Sequence, residues 1–440
     1  MPTATDDADA DVIVVGAGLS GLVCATRLVA GGARVRVLEA RVRTGGRLLG
    51  RLVGDGMFDL GGQWWTAGQP RLAALADELG IARVPQHRAG ASVITLDPFV
   101  ASDGLASATP RRRTLPGRIV DALVRGRRVA ELSRLIERAG REAPLDWDRE
   151  SLGAWLAREI PDATLRDHVA IHCEMTFAVE PHELSFLDYL AQLAAGGDPF
   201  DGTAGDEHRF VPGAFALPAR LAAALGDRVS LATPVRAIDV GAGTVRTDSA
   251  TLRASHVVLA VPPAAARAIA FTPPLPPAAA AALSASRAGP VVKVVATYAR
   301  AFWRDAGRSG EAYLRPGVVR ATADACTADG VPALAAFVVA AEAAAWTPAH
   351  TAHVLDDLRR LFGDAAARPT DLGFHAWGAD PLAHGCVAGL PPGARSAGAA
   401  WRGPHARLHV AGTEAAHRWP GFMEGAIDAA ERAAAEILAA

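Results

Sequence analysis

Between Asp11 and Glu39 the chain admits one arrangement. Asp11 to Val15 is a short apolar run, the pattern of a strand covered on both faces. It passes directly into Gly16-Ala-Gly18-Leu-Ser-Gly21, then into an apolar-periodic segment, Leu22 to Ala30, that reads as a helix. A second strand, Ala33 to Leu38, ends on Glu39. Together these pieces predict a Rossmann-like βαβ unit that binds a dinucleotide. Gly16 would make the tight turn, and Gly18 would let backbone approach a pyrophosphate at the helix N-terminus. Gly21 would let the helix close on the strand, and Glu39 would hold ribose hydroxyls. A bare GxGxxG also occurs in ordinary glycine-rich turns. Here every flanking element falls where the motif needs it.

The rest of the composition narrows the class. A chain of 440 residues is too long for one ordinary core and predicts two domains. Half its residues are hydrophobic and 21% are charged, so it reads as globular rather than disordered. A net charge of -2 gives no overall attraction to nucleic acid or to an anionic membrane. Cys24, Cys173, Cys326 and Cys386 are far apart and form no CxxC pair, which argues against a disulfide framework or a zinc site. The polar, acidic start MPTATDDADA is no signal peptide, and no apolar run approaches the roughly 20 residues that span a bilayer. The expectation is a soluble cytoplasmic protein.

Two clusters invite sharper readings. His168 and His172 lie four apart beside Cys173 and Glu174, a spacing that could hold a metal on one helix face. The preferred reading is two helix residues beside a substrate wall, with no metal. Arg111 to Arg113, Arg125, Arg127 and Arg128 interleave with Asp121, Glu131 and Glu137, and read as a solvated helix face.

The segment after Glu39 specifies the cofactor further. Glu39, Arg41, Arg43, Gly45, Gly46 and Arg47 form the pattern ExRxRxGGR, followed by Asp59-Leu-Gly61-Gly62-Gln63-Trp64-Trp65. Paired glycines admit a bulky cofactor, and the arginines can offset phosphate charge. With these motifs the sequence resembles the flavin-dependent amine oxidase family, which includes the monoamine and polyamine oxidases. The resemblance continues through Gly226-Asp-Arg-Val229, Val257 to Pro263, Phe271 to Pro276, Phe302-Trp303-Arg304, Gly412-Thr413-Glu414 and Gly421-Phe422-Met423-Glu424-Gly425. Its middle is carried mainly by Glu180 to Ser185 and Phe210 to Gly213.

That resemblance implies FAD. It implies adenine contact at the backbone of Val235, and flavin-ring and ribityl contact around Gly412, Glu414, Gly421 and Met423. It places Lys293 where the family holds a water against flavin N5, and Trp377 near the flavin. Lys293 stands among Val291, Val292, Val294 and Val295, so burial should depress its pKa, unless it snorkels from a sheet edge. Cys386 falls where monoamine oxidases carry the cysteine joined to the flavin methyl group. A free cysteine can equally be a small buried hydrophobe. At Val387 and Phe422 the sequence departs from the family, whose two tyrosines there flank the amine. Trp419, Trp377, Trp64 or Trp65 could supply a ring from another direction, and the substrate is expected to be bulkier than an arylalkylamine or not a simple amine.

The expected fold class is α/β: a Rossmann-like FAD-binding domain from residues 8–85, 210–288 and 386–440, and a discontinuous α+β substrate domain from 86–209 and 289–385. Helices are expected at Ile119–Ala139 and Leu184–Ala195, a sheet beginning with Val291–Ala299, and an extended linker over Pro273–Pro277. The implied activity is oxidation of an amine C–N bond by hydride transfer to flavin N5. The products would be an imine and, with molecular oxygen, hydrogen peroxide. Lys293, Phe422, Val387 and Trp377 would stand at the reacting centre. A desaturase or amino-acid oxidase of the same superfamily is the alternative, and a non-catalytic FAD-binding partner protein is the reading from another class. The expectation leaves room for a homodimer.

Overall fold

The computed structural model describes residues 8–96, 99–102, 131–142, 144–196 and 207–440. The opening motif folds as a βαβ unit. Strand β1 (Ala10–Val15) leads to helix α1 (Leu19–Ala30) and strand β2 (Val35–Leu38). The helix starts three residues earlier than its apolar period suggested, because Gly18 already serves as its N-cap. The second strand starts two residues later than expected.

β1 lies between β2 and the strand Thr251–Leu259, all parallel, with Val14 opposite both Val37 and Val258. Val229–Ser230 and Leu408–Val410 extend this parallel core at its two sides, and Thr244–Thr247, Val235–Asp239 and Ala270–Thr272 complete the sheet. Successive β1 side chains enter different cores. Val12 and Val14 pack with α1 and the last helix, Met423–Leu438, whereas Ile13 and Val15 pack with Ile238, Leu283 and Trp401. Both faces are covered, which is why the run is continuously apolar.

Two backbone approaches hold α1 in place. A Cβ on Gly21 would sit 1.9 Å from the Gly16 carbonyl oxygen, and one on Gly16, at φ +103°, would sit 2.7 Å from the Ala260 carbonyl oxygen. Neither position tolerates a side chain without moving backbone.

The second sheet has seven strands, in the order Asp371–Ala376, Val291–Thr297, Ala333–Val339, Ala321–Asp324, Arg308–Arg315, Ala91–Leu96 and Phe99–Ser102. Val292, Val294 and Ala296 face the core built with helix Thr351–Phe362. Strand periodicity therefore turns Val291, Lys293 and Val295 to the opposite face. Register carries that face across the sheet: Lys293 stands between His375 and Phe337, Phe337 opposes Ala321, Ala321 opposes Tyr313, and Tyr313 opposes Ile94.

Helices Ala163–Phe177 and Phe186–Gly196 cover the other side of the space over this row. The second of them begins two residues later than expected. Residues 131–142 are helical, while the first part of the helix expected from Ile119 lies outside the described residues, as do Arg111 to Arg113, Arg125, Arg127 and Arg128. The strand from Val291 stops at Thr297, two residues short of Ala299. The expected linker holds over 273–276 and departs only at its last residue. Pro277 opens helix Pro277–Ala285, since a proline at the first helical position loses no hydrogen bond.

Gly21→Ala is expected to lower stability by about 1–3 kcal/mol, the usual range for overpacking, and to loosen cofactor retention. Chemical denaturation and the flavin-to-protein absorbance ratio would check both.

Candidate active site

One continuous cavity of about 990 Å³ runs from the Gly16–Gly18 turn, past Lys293, to Arg88, Glu311 and Tyr313. At its first end α1 begins without any side-chain cap, so its first N–H groups face the cavity as donors for an anion. Gly18 and Gly46 lie back to back there: a Cβ on Gly18 would meet only the Gly46 Cα, at 4.0 Å. Glu39 is buried at the tip of β2. Its Oε2 accepts the Ala17 N–H at 2.7 Å and its Oε1 the Arg41 N–H at 2.9 Å, leaving further lone pairs for hydroxyl donors. Val235 lines the same end.

The arginines behave differently from a bare phosphate clamp. Arg41 makes a bidentate pair with Asp380 at 2.7 and 3.0 Å, and Arg43 donates to the carbonyls of Thr44 and Gly46. Arg47 pairs with Glu414 at 2.7 Å and donates to the Cys386 carbonyl. Their charges are met first by protein groups, and Arg41 and Arg47 tie the glycine loop to the chain's last third. Glu414 is partly buried, its carboxylate side chain 8% exposed, and its Oε2 has no donor among the described residues. A ribityl hydroxyl would satisfy such an acceptor. The capless helix, the glycine cradle and this orphan oxygen fit a flavin dinucleotide.

Lys293 is 2% exposed. Its Nζ donates to the Gly61 carbonyl at 3.1 Å and to Gln63 Oε1 at 2.5 Å, and lies 4.7 Å from the Trp64 ring centre and 5.7 Å from that of Phe337. Burial pulls its pKa down to about 7, while Asp59 opposes that shift. The snorkelling reading fails because the strand is interior and both faces are covered. Burial also lifts Asp59 to about 6, against Lys293 and the N–H groups of Ala214 and Phe215. The two groups share a site that disfavours charge on either.

The segments holding Gly61, Gly62, Gln63 and Trp64 converge here because a Cβ on Gly61 would lie 2.0 Å from the Arg47 carbonyl oxygen. Gly62 packs under Leu48 and Met423. Trp377 donates from Nε1 to the Leu60 carbonyl at 2.8 Å, which fixes its ring in the cavity wall. Cys386 is the one cysteine of the four that is not fully buried, and it lines the cavity. Burial raises its thiol above the ordinary value, with Arg47 opposing.

Val387 presses on Gly421, where a Cβ would fall 2.5 Å from Val387 Cγ1. Phe422 meets Trp419 nearly edge to face, at 5.3 Å and 79°. Trp419 is held by its Nε1 bond to the Gly68 carbonyl at 3.2 Å, and both rings line the cavity with Gly412, Gly421 and Met423. Trp65 also lines the cavity, with its ring stacked on Phe210 at 5.8 Å. Of the two histidines, His172 reaches the cavity wall and contacts the Tyr189 hydroxyl at 3.1 Å; no metal-holding group of histidine, cysteine and carboxylate side chains occurs among the described residues.

Phe337, Asp59, Gln86, Gln192, Glu311 and Tyr313 were not legible as site residues. Asp59 opens the second glycine-pair motif but carries no local mark of its partner Lys293, and the others stand in no motif, so only strand register, loop course and helix packing bring them to the cavity. Gln86 orients Trp64 by accepting its Nε1–H at 2.8 Å. Among the described residues, no helix is long and apolar enough to cross a membrane.

Fold and site together define a two-domain flavoprotein oxidoreductase. The family described as flavin containing amine oxidoreductase matches residues 19–438. The chain is 36% identical, over 98% of its length and 96% of the relative, to a Mycobacterium tuberculosis protein designated flavin-containing monoamine oxidase AofH. It is 30% identical to the L-amino acid dehydrogenase of Synechocystis, covering 97% of this chain and 94% of that one. A wild-type putrescine oxidase solved with putrescine superposes with a TM-score of 0.90 at 30% identity, covering 98% and 99% of the two chains. The chain belongs to the flavin-containing amine oxidoreductases, and is an FAD-dependent amine oxidase.

With burial pulling its pKa down to about 7, Lys293 is expected to give the bound flavin's absorption spectrum an inflection near neutral pH. Protonated lysine prevails below that point and the neutral amine above it. Lys293→Met is expected to abolish the inflection; spectra of wild type and variant across neutral pH would check it.

Proposed function

We propose that this protein oxidises the C–N bond of a bulky or extended amine and passes the electrons to molecular oxygen. The observation carrying this reading is the continuous cavity in which buried Lys293 stands between the glycine cradle and an aromatic-walled chamber. When bound, FAD would supply the redox chemistry, accepting two electrons from the amine and passing them on to oxygen. The chain orients and desolvates. Trp419, Phe422, Trp64 and Phe337 present ring faces and edges that exclude water. Such walls favour the neutral amine, the form that can lose hydride, because burial disfavours its charged form. No side-chain base is required for that.

Val387 removes the ring that would close one side of the reacting position, so the chamber admits a wider α-carbon environment than a two-ring sandwich. The perpendicular Trp419–Phe422 pair takes over the aromatic contact from one direction. Lys293, held on Gly61 and Gln63, is assigned to the oxygen step. Cys386, at the cavity wall and less buried than the other cysteines, is the attachment point for a covalent flavin.

An amino-acid substrate would need a cation for its carboxylate. Arg88 lines the cavity but is bonded to Glu207 at 2.8 Å and faces Glu311 at 3.7 Å, which does not favour that reading. We also assign residues 8–85, 210–288 and 386–440 to the cofactor domain and 86–209 and 289–385 to the substrate domain. The support is that the parallel sheet draws only on the first set and the seven-stranded sheet only on the second.

Anaerobic mixing with amines is expected to bleach the flavin, and air to restore it with one peroxide formed per amine consumed. In Lys293→Met the recolouring should slow far more than the bleaching; equal slowing would remove lysine from the oxygen step. Acid precipitation is expected to give a yellow pellet for the wild type and a colourless one for Cys386→Ala. A colourless wild-type pellet would refute the linkage.

A further inference from the structure

The large cavity does not account for every buried polar group around Lys293. On the other side of Gln63 lies a second cavity of about 30 Å³. Asp59, Gln63 and Arg209 line it, and it reaches the exposed residues Met57, Pro212 and Ala328. Gln63 lines both cavities and so forms the partition between them. The face of Gln63 toward the large cavity is taken by Lys293, whose Nζ donates to its Oε1.

Two of the groups on the small cavity have unused hydrogen-bonding capacity. Asp59 accepts the Ala214 N–H at 2.9 Å and the Phe215 N–H at 3.1 Å, just ahead of helix Ala216–Leu225. That leaves about two of a carboxylate's four acceptor sites. Arg209 donates from Nη1 to the Cys326 carbonyl at 3.0 Å, but its buried Nε has no acceptor among the described residues. A buried donor without a partner is unfavourable, and a water reaching both groups removes the penalty. One water needs roughly 10–15 Å³, so the volume takes one or two.

The surrounding charges converge on Asp59. Asp59 and Cys386 favour the Lys293 cation and Arg209 opposes it. Burial lifts the Cys386 thiol above its ordinary range, so it brings no negative charge at neutral pH. Lys293 and Arg209 both favour the Asp59 carboxylate. His375, beside Lys293 in register, is bonded to Asp380 at 3.2 Å, and Asp324 is held by Arg304 at 2.7 and 2.8 Å. Asp59 is left as the carboxylate that balances Lys293.

We propose that the small cavity is a water site joining Asp59 to bulk solvent, and that Asp59 is a positioning residue that sets the charge of Lys293 from the side away from the substrate. Through those waters the Asp59 carboxylic acid gives its proton to solvent, forming hydronium, and becomes the carboxylate that holds Lys293 as an ammonium. The route bypasses the large cavity, so an amine bound there does not cut Asp59 off from solvent pH. The proposal rests on the placing of Lys293 beside the flavin.

The test combines a high-resolution crystal structure of the wild-type holoenzyme with spectral pH titration of the bound flavin. The structure is expected to show water within hydrogen-bond distance of Asp59 and of Arg209 Nε. Asp59→Asn keeps the side chain's shape and removes its charge. The inflection should then fall by at least about one pH unit, the lower end of the shift for losing an adjacent opposite charge. A merely structural loss would lower the amplitude without moving the midpoint. Ala328→Leu lies on the surface, away from cofactor and substrate. Its larger side chain displaces water, disfavours the carboxylate and moves the inflection the same way; it decides the matter should Asp59→Asn not retain flavin. A dry cavity, or an unmoved inflection in the deciding variant, would overturn the proposal and leave amine oxidation intact. An inflection that survives in Lys293→Met would remove Lys293 from the flavin, and the proposal with it.

Discussion

The structure depends on how closely α1 sits on β1. With a Gly21 Cβ position only 1.9 Å from the Gly16 carbonyl oxygen, the helix can take its place only because that carbon is missing. The approach sets where the helix N-terminus points, and so where an anionic dinucleotide can lie. It also leaves the capless first turn facing a cavity rather than a side chain. Glu39 completes the arrangement by accepting the Ala17 N–H inside the same turn.

From that cradle the cavity is assembled by contacts between segments far apart in the chain. Arg41 meets Asp380, Arg47 meets Glu414, Trp377 donates to Leu60, and Lys293 donates to Gly61 and Gln63. Each joins the glycine-rich loops of the first third to the second sheet, to the turn that follows its last strand, or to the turn at Thr413–Ala415 before the last helix. The buried ion pairs are hydrogen-bonded at short range, as desolvated charges must be to be tolerated. The same crowding explains Lys293. Its strand is interior and covered on both faces, so its ammonium loses hydration and receives only partial compensation from Asp59 and two carbonyl oxygens.

The motif-bearing parts were legible because their chemistry is backbone chemistry. Gly16, Gly18, Gly21, Gly45, Gly46, Gly61 and Gly62 are needed where main chains approach each other, and such needs leave a local mark in the sequence. Lys293 stood out because a lysine among four valines is incongruous unless the strand is buried. Reading failed where partners come from elsewhere. The arginines of the glycine loop suggested phosphate contacts, whereas Asp380 and Glu414 engage two of them. Pro277 suggested a linker, although at a helix's first position a proline is well tolerated.

The sequence by itself determined the glycine turns of the βαβ unit and the family. Both follow from residue identity at fixed local spacing, and the resemblance then implied the departure at Val387 and Phe422. Only the tertiary structure decided what faces the substrate. Strand register set Lys293, Phe337, Ala321 and Tyr313 in one row, and helix packing turned Gln192 and His172 toward it. Register and packing arise from nonlocal pairing, so no spacing within one segment encodes them. That is why Glu311 could not be told from any other strand glutamate until its neighbours were in place.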